Sequence, residues 1–516
     1  MKTDLASPFD HISKIWRLIP KYTKIQFCSA FIIGLLVHIY IMTNGFINHD
    51  SVMINEYYNW IQIRTGRWFA VVPDMISGSF NLMWINTLFA LIYLSISACL
   101  IGACLETRRT PLVLLLSGIV MAFPTVAGWF SYRFLVDVAC FSVLLACLAI
   151  FLARRYKDGF IFGFFPLLFS IATYQAFVGF FAGIMVLMLI RDLLGDKEIK
   201  TVVISALKYL FTLVTALVAY VLILKLPVSA DLSGYKGISS FGHFSAQSVP
   251  ERFVFSYQNF FDIFFRNSLY IHQDYYQSGR IFQVLFILAA IAVLVTLVNV
   301  IISKKISKTR LVLLLVLIVL IPPTCNVISI LSPDNLYILM QYSLVLFFAF
   351  MLMIADIAVV KPKAVYLSAF YILVFCFIMT ANYAIYSNVF YQKVELVNKQ
   401  GQAFSSALVT KIQSEDFYDK GKMIVIYGEA PLSFAMGYFE TVNAIPLGDI
   451  PNMYSFPAYL NIYFDLQNPV NQSKRYMPDE LGKNADAMEA IHDMPSYPLP
   501  GSIAEIEGMI VVKFSD

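Results

Sequence analysis

The apolar positions of this chain come in long unbroken runs, not in the spaced stripes of a soluble amphipathic helix. Residues 25–43, 82–105, 134–153 and 281–302 carry almost no charge. A run of about 20 such residues is long enough to cross a hydrocarbon layer of roughly 30 Å as a helix. Short polar segments separate the runs, and several are basic: 106–110 (ETRRT), 154–159 (RRYKDG), 191–200, 303–310 (SKKISKTR) and the turn 360–363 around Lys361. Lys and Arg near span ends mark the cytoplasmic side. These segments are therefore read as inside and the loops between them as outside.

For that alternation to close, 160–190 must go out and return as two short helices meeting near 172–175. One long tilted helix would invert everything after it, against the basic segment 303–310. The path predicts an α-helical polytopic membrane protein of about eleven transmembrane helices. Lys2, Lys14, Arg17, Lys21 and Lys24 precede the first run without a cleavage motif after it, so that run reads as a retained anchor with a cytoplasmic start. Outside lie 44–81, 227–280 and the tail from 386. Residues 1–385 then form a transmembrane domain with outer loops 44–81 and 227–280. The tail, 386–516, holds a helix-like stretch (388–414) and two strand-like runs, MIVIYG (423–428) and MIVVKF (509–514), and reads as a small extracytoplasmic α/β domain.

Composition agrees with the membrane reading. Of 516 residues 59% are hydrophobic and 14% charged, against roughly 25% charged in soluble domains, and the mean hydropathy is +0.71. The net charge of +4 is accounted for by the inside segments. No basic stretch interleaved with aromatics offers a nucleic-acid surface. Cys28, Cys99, Cys104, Cys140, Cys147, Cys325 and Cys376 all fall in apolar runs without metal-type spacing, and read as small hydrophobes, not as disulfides or a zinc site.

Candidate chemistry lies in the outer loops. The first reads NGFINHDSVMINEYYNWIQIRTGRWFAVVPDMISG, and 52–63 mixes aromatics with Asn55, Glu56, Asn59 and Gln62 as a surface helix does. Asp50 stands at its mouth, either as an N-cap or as a base for a sugar hydroxyl. Arg67, in Gly66-Arg67-Trp68, suits a lipid phosphate or an interfacial anchor, and Glu56 and Trp68 are candidate sugar contacts. Asp74, near Pro73 and Gly78, reads as turn chemistry. In GWFSYRFLVD, Arg133 and Asp137 share a helix face as an i,i+4 pair, yet an acid one turn into a membrane helix by default suggests function. Tyr174 and Gln175 at the short hairpin either donate to a sugar or satisfy the bend. The aromatic-rich loop 227–280 adds His272, Asp274 and Arg280 as sugar-binding candidates, while His38 and His243 are read as structural.

These motifs carry a resemblance. The acid after the first span (HDS), GRW beyond it, RFLVD opening a later span, TYQA at the hairpin, and the terminal MPSYPLPGSI…GMIVVKF resemble the GtrII-type glucosyltransferases, which add glucose to the O-antigen of lipopolysaccharide in serotype conversion. More loosely, the chain is similar to GT-C membrane glycosyltransferases. The resemblance implies a bacterial inner-membrane enzyme that takes glucose from undecaprenyl-phosphate glucose on the periplasmic side. It implies an O-antigen or similar envelope glycan as acceptor, and a separate synthase and flippase that supply the donor lipid. It implies Asp50 as general base, with Arg67 and Arg133 on the donor phosphate; attack from the face opposite the phosphate inverts the anomeric centre, and Asp137, from its place in the span, is a second catalytic candidate. Relatives often carry two adjacent acids after the first span; here the first is His49, which leaves Asp50 alone. Arginines suffice for a monophosphate leaving group, so no cofactor or obligatory metal is expected. Rival readings are a transporter or flippase of a lipid-linked sugar, and a non-catalytic envelope assembly factor. The first calls for ionisable groups along a midplane path and, in many folds, for repeated halves; no repeat is visible here.

Overall fold

The computed structural model describes residues 13–14, 16–52, 62–226, 248–266, 278–333, 336–358, 363–430, 455–466, 471–472 and 478–516. Glu56, His243, His272 and Asp274, and most of the surface helix read at 52–63, lie outside these residues. The chain divides into two compact units: Met1–Thr43 with Asn59–Asn388, and Asn44–Tyr58 with Val389–Asp516.

The first unit is helical. Its longer elements are α1 (Lys21–Thr43), the short α2 (Val71–Ile76), α3 (Ile85–Cys104), α4 (Thr110–Ala122), α5 (Pro124–Ser131), α6 (Arg133–Arg155), α7 (Phe164–Thr173), α8 (Val178–Leu194), α9 (Ile199–Leu224), α10 (Ser248–Phe265), α11 (Ser278–Ser303), α12 (Lys308–Val319), α13 (Leu346–Ile357) and α14 (Lys363–Gln413), whose last turns belong to the second unit. The chain is a polytopic membrane protein. Among the described residues seven helices are long and apolar enough to cross a membrane, or eight if α4 and α5, bent by 42°, form one span. The bend falls where Phe123 takes the extended conformation (φ −56°, ψ 134°) that a following proline imposes. Hydropathy alone suggests a larger number because it does not register breaks: the apolar helices Gly159–Thr173 and Tyr342–Ile357 are short.

The break expected near 172–175 is present. Helix α7 ends at Tyr174, which is extended (φ −156°, ψ 108°), and a single 3-10 turn, Gln175–Phe177, leads into α8. Irregular backbone beside apolar helices needs protein to cover it, and here Ser142 on α6 bonds Ser170 O at 2.9 Å while Trp129 packs edge-on to Phe177 at 5.1 Å.

At the other end of these helices the basic segments meet. Arg154 holds Asp192 with both terminal nitrogens and reaches Glu106 at 3.2 Å; Lys197 pairs with Asp192 at 2.9 Å, and Arg191 and Arg109 each lie 3.4 Å from Asp356. Lys304 and Arg310 donate to the carbonyls of Leu194 and Gly195 at 2.9 and 2.8 Å. Four of the segments read as lying on one side thus share one end of the bundle. The cysteines here are free, and all are buried except Cys28.

Among the described residues the second unit is a four-stranded sheet with helices on both faces. Its strands are β1 (Ile424–Tyr427), β2 (Asn471–Gln472), β3 (Ile503–Ile506) and β4 (Met509–Lys513), in the order β2-β1-β4-β3. Strand β1 is parallel to β2 and β4, while β3 and β4 form an antiparallel hairpin. Its two turn residues, Glu507 and Gly508, both have positive φ, as the tightest hairpins require. Alternate side chains face opposite cores: Ile424, Ile426, Ile510 and Val512 pack with Leu408, Ile412 and Phe456, and Val425, Tyr427 and Val511 pack with Leu481 and Ile491. Val52 is buried in the first of these cores. That is why 44–58, grouped in the sequence with the outer loop 44–81, keeps company with the tail.

Candidate functional site

In the helical unit, residues 62–74 fold back onto the α7–α8 break. Backbone N–H groups of Thr65 and Arg67 both donate to Gln62 O, at 3.2 and 2.8 Å, closing a turn, and Phe69 N–H donates to Ala172 O at 3.0 Å. Gln175, through Nε2, donates to Thr65 O at 2.9 Å and to the Tyr220 hydroxyl at 2.8 Å, and that hydroxyl in turn donates to Gly66 O at 3.1 Å. The close approach needs glycine. Gly66 has φ +76°, and a Cβ there would meet the Tyr220 hydroxyl at 2.7 Å. Of the two readings left open for Gln175, the geometry favours the one in which it holds the loop at the bend.

So anchored, the segment presents Arg67 and Trp68. The Arg67 Cζ lies 4.4 Å from the centre of the Tyr174 ring, a cation–π contact that takes up the guanidinium face. Its Nε is buried without a hydrogen-bond partner, as is Trp68 Nε1. Trp68 stands edge-on to Phe69 and Phe169, which stack at 4.2 Å.

Helix α2 follows and packs on α6. Asp74 on α2 is 3% exposed. The Ser79 hydroxyl bonds its carboxylate, and burial raises its pKa above the ordinary value against that bond. Its Oδ2 has no partner. Nearby, Asn86 on α3 accepts from Leu82 N–H at 2.9 Å and donates to Ser77 Oγ at 3.4 Å and to Asp137 Oδ1 at 3.3 Å. No ion pair joins Asp137 to Arg133, so the i,i+4 arrangement of the sequence is replaced by a bond across helices; both residues are buried at the start of α6.

The helical unit therefore brings Arg67, Trp68, Tyr174 and Gln175 into one set of contacts and places Arg133 and Asp137 at the same end, opposite the ion-pair cluster. Arg280 is exposed in the first turn of α11. His38 is buried, its Nε2 2.9 Å from Met121 O and its ring stacked on Phe130 at 4.3 Å. Asp50 belongs to the second unit, in the 3-10 turn His49–Val52. The cap of that turn is Asn48, whose Oδ1 accepts from Asp50 N–H at 3.0 Å. The Asp50 carboxylate is left 3.3 Å from His49 Nε2. Gln62, Gly66, Asn86 and Tyr220 were not among the sequence candidates, and Asp74 was assigned to its turn; an acid, an amide and a hydroxyl inside or beside apolar runs were the available signals.

A family model, described as "Glucosyl transferase GtrII", matches residues 39–348, more than half of the chain, and includes Arg67, Trp68, Asp74, Arg133, Asp137, Tyr174 and Gln175. The chain belongs to the GtrII glucosyltransferase family. The matched region runs from the end of α1 to α13. No protein of curated function and no solved structure matches the chain. Among the described residues of this GtrII family member, no three His, Cys, Asp or Glu side chains cluster to hold a metal ion.

Proposed function

We propose that this GtrII family member transfers glucose from a polyprenyl-phosphate donor, undecaprenyl-phosphate glucose by family pattern, to O-antigen or a similar envelope glycan at the periplasmic face of a bacterial inner membrane. The observation that carries the proposal is Arg67. Its face is committed to Tyr174 and its Nε is unsatisfied, which leaves the donor edge of a fixed cation for an anion such as a phosphodiester. The site end lies opposite the Lys/Arg cluster, which the positive-inside rule puts in the cytoplasm, so the reaction is assigned to the outer side with the C-terminal unit also outside.

In this scheme the acceptor hydroxyl gives its proton to Asp50 as its oxygen bonds to the anomeric carbon. The bond from that carbon to the phosphate oxygen breaks on the opposite face, inverting the centre, and its electron pair leaves with the polyprenyl phosphate. Arg67 and Arg133 balance the charge that develops there, Asp137 orients groups near them, and Trp68 and Tyr174 supply aromatic surface. The test is Arg67→Lys. A lysine keeps the charge and loses the fork, so the donor concentration for half-maximal transfer should rise at least about tenfold, the scale of one charge-assisted hydrogen bond. A variant with the donor dependence of the wild type would make Arg67 an interfacial anchor.

A further inference from the structure

Buried polar atoms nearly always have partners, and an exception points to a ligand, ion or water. In the helical unit five such atoms lie on one segment, Gln62 Oε1, Arg67 Nε, Trp68 Nε1, Asp74 Oδ2 and Asn81 Oδ1, while Asn382 Oδ1 lies apart from them on α14. Gln62 and Asp74 are 4% and 3% exposed. Residues 62–69 are held by the turn at Gln62, by Ala172 and by Gln175, and Asp74 by α2 packing on α6 and by the Ser79 hydroxyl.

Their chemistry divides in two. Arg67 suits an anion. Asp74 repels one, and its open oxygen is a strong acceptor for a neutral hydroxyl. Gln62 adds a second acceptor, and Trp68 an N–H donor beside the stacked Phe69 and Phe169 rings. A hexose offers what this set lacks: hydroxyls that donate and accept, and a C–H face that packs on aromatic rings.

We infer that Asp74 is the sugar-recognising residue of the donor site, its Oδ2 accepting from a hydroxyl of the transferred hexose, with Gln62 and Trp68 as the other polar contacts. The inference rests on the polyprenyl-phosphate-sugar reading above and adds the residues that distinguish a glycosylated donor from the bare lipid phosphate.

The test is binding of polyprenyl phosphate and of polyprenyl-phosphate glucose to the purified full-length protein in detergent. Asp74→Asn keeps an oxygen for Ser79 and puts an amide N–H₂ where the open acceptor stood. The wild type should bind the glucosylated lipid more tightly by about tenfold or more, the scale of one hydrogen bond to a charged group. Asp74→Asn should bind bare polyprenyl phosphate as the wild type does and lose most of that preference. Should Asp74→Asn fail to fold, Gln62→Met, similar in size but without an acceptor, carries the test with a several-fold loss of preference. An unchanged preference in the folded variant overturns the inference while the donor reading stands. A wild type that binds both lipids equally overturns it too. A wild type that binds neither overturns the donor reading, and the inference with it.

Discussion

The guanidinium of Arg67 lies over the ring of Tyr174, its Cζ 4.4 Å from the ring centre. Tyr174 is the extended residue that ends α7 before the turn into α8, so the break and the cation are one device: the residue that stops the helix supplies the surface on which the arginine rests.

Removing that surface should loosen the cation without deleting it. A cation–π contact contributes about 0.5–2 kcal/mol, so Tyr174→Ala should raise the donor requirement several-fold with little change in maximal rate, and Tyr174→Phe should behave as the wild type. Steady-state transfer at varied donor lipid distinguishes them; equal donor dependence in all three proteins would detach Tyr174 from donor binding.

Gly66→Ala should weaken the fold and the donor site together. The backbone there has φ +76° and the new Cβ would meet the Tyr220 hydroxyl at 2.7 Å, a strain of at least about 1 kcal/mol. Gln175→Ala should cost about 1–3 kcal/mol by leaving buried Thr65 O and the Tyr220 hydroxyl a bond short. Thermal unfolding in detergent reads both effects, and an unshifted midpoint would contradict the anchoring role.

Asp50 and Asn48 should separate catalysis from capping. Because Asn48 caps the turn, Asn48→Ala should lose about 1 kcal/mol of local stability and keep its activity per folded molecule. Asp50→Asn should keep the turn and lose 10²–10⁴-fold in rate, the range roughly expected for a general base. The measurement is glycan product per unit of correctly inserted protein; an active Asp50→Asn would move the base elsewhere, with Asp137 next in line.

Asp74 should leave a signature in the pH dependence of stability. Its pKa is raised in the folded protein by burial, so the folded chain holds that proton more tightly than the unfolded one. The associated stability is fully present below the unfolded-state pKa and lost as pH rises through the folded one. Unfolding midpoints should therefore fall more across that window for the wild type than for Asp74→Asn, and parallel curves would contradict the assignment.

Topology is open to labelling. In a cysteine-free background of spheroplasts, a membrane-impermeant thiol reagent should label Glu489→Cys, exposed in the C-terminal unit, and not Arg155→Cys, exposed at the basic end. The reverse pattern would invert the scheme.

Much of the helical unit was legible because lipid leaves a strong mark. Uncharged runs and basic segments located the helices and the end at which Arg154, Arg191 and Arg310 meet. The break at Tyr174 was expected because the alternation of basic segments calls for two short helices in 160–190. What stayed hidden depends on contacts between residues distant in sequence. Asn86 looks like one polar residue in an apolar run, and only its bond to Asp137 gives it a role. Val52 looks like part of an outer loop, and only the core around Leu408 and Ile426 assigns it to the tail. Asp50 as cap or base could not be decided because Asn48 and Asp50 are both good caps, and the structure shows which one caps the turn.

The most direct measurement is transfer itself: purified protein in detergent, given polyprenyl-phosphate glucose and an O-antigen acceptor, with glucosylated glycan and released polyprenyl phosphate both followed. The account predicts that the two products appear in equal amounts, with the anomeric configuration inverted relative to the donor. Binding or movement of the donor lipid without any glucosylated glycan would contradict it.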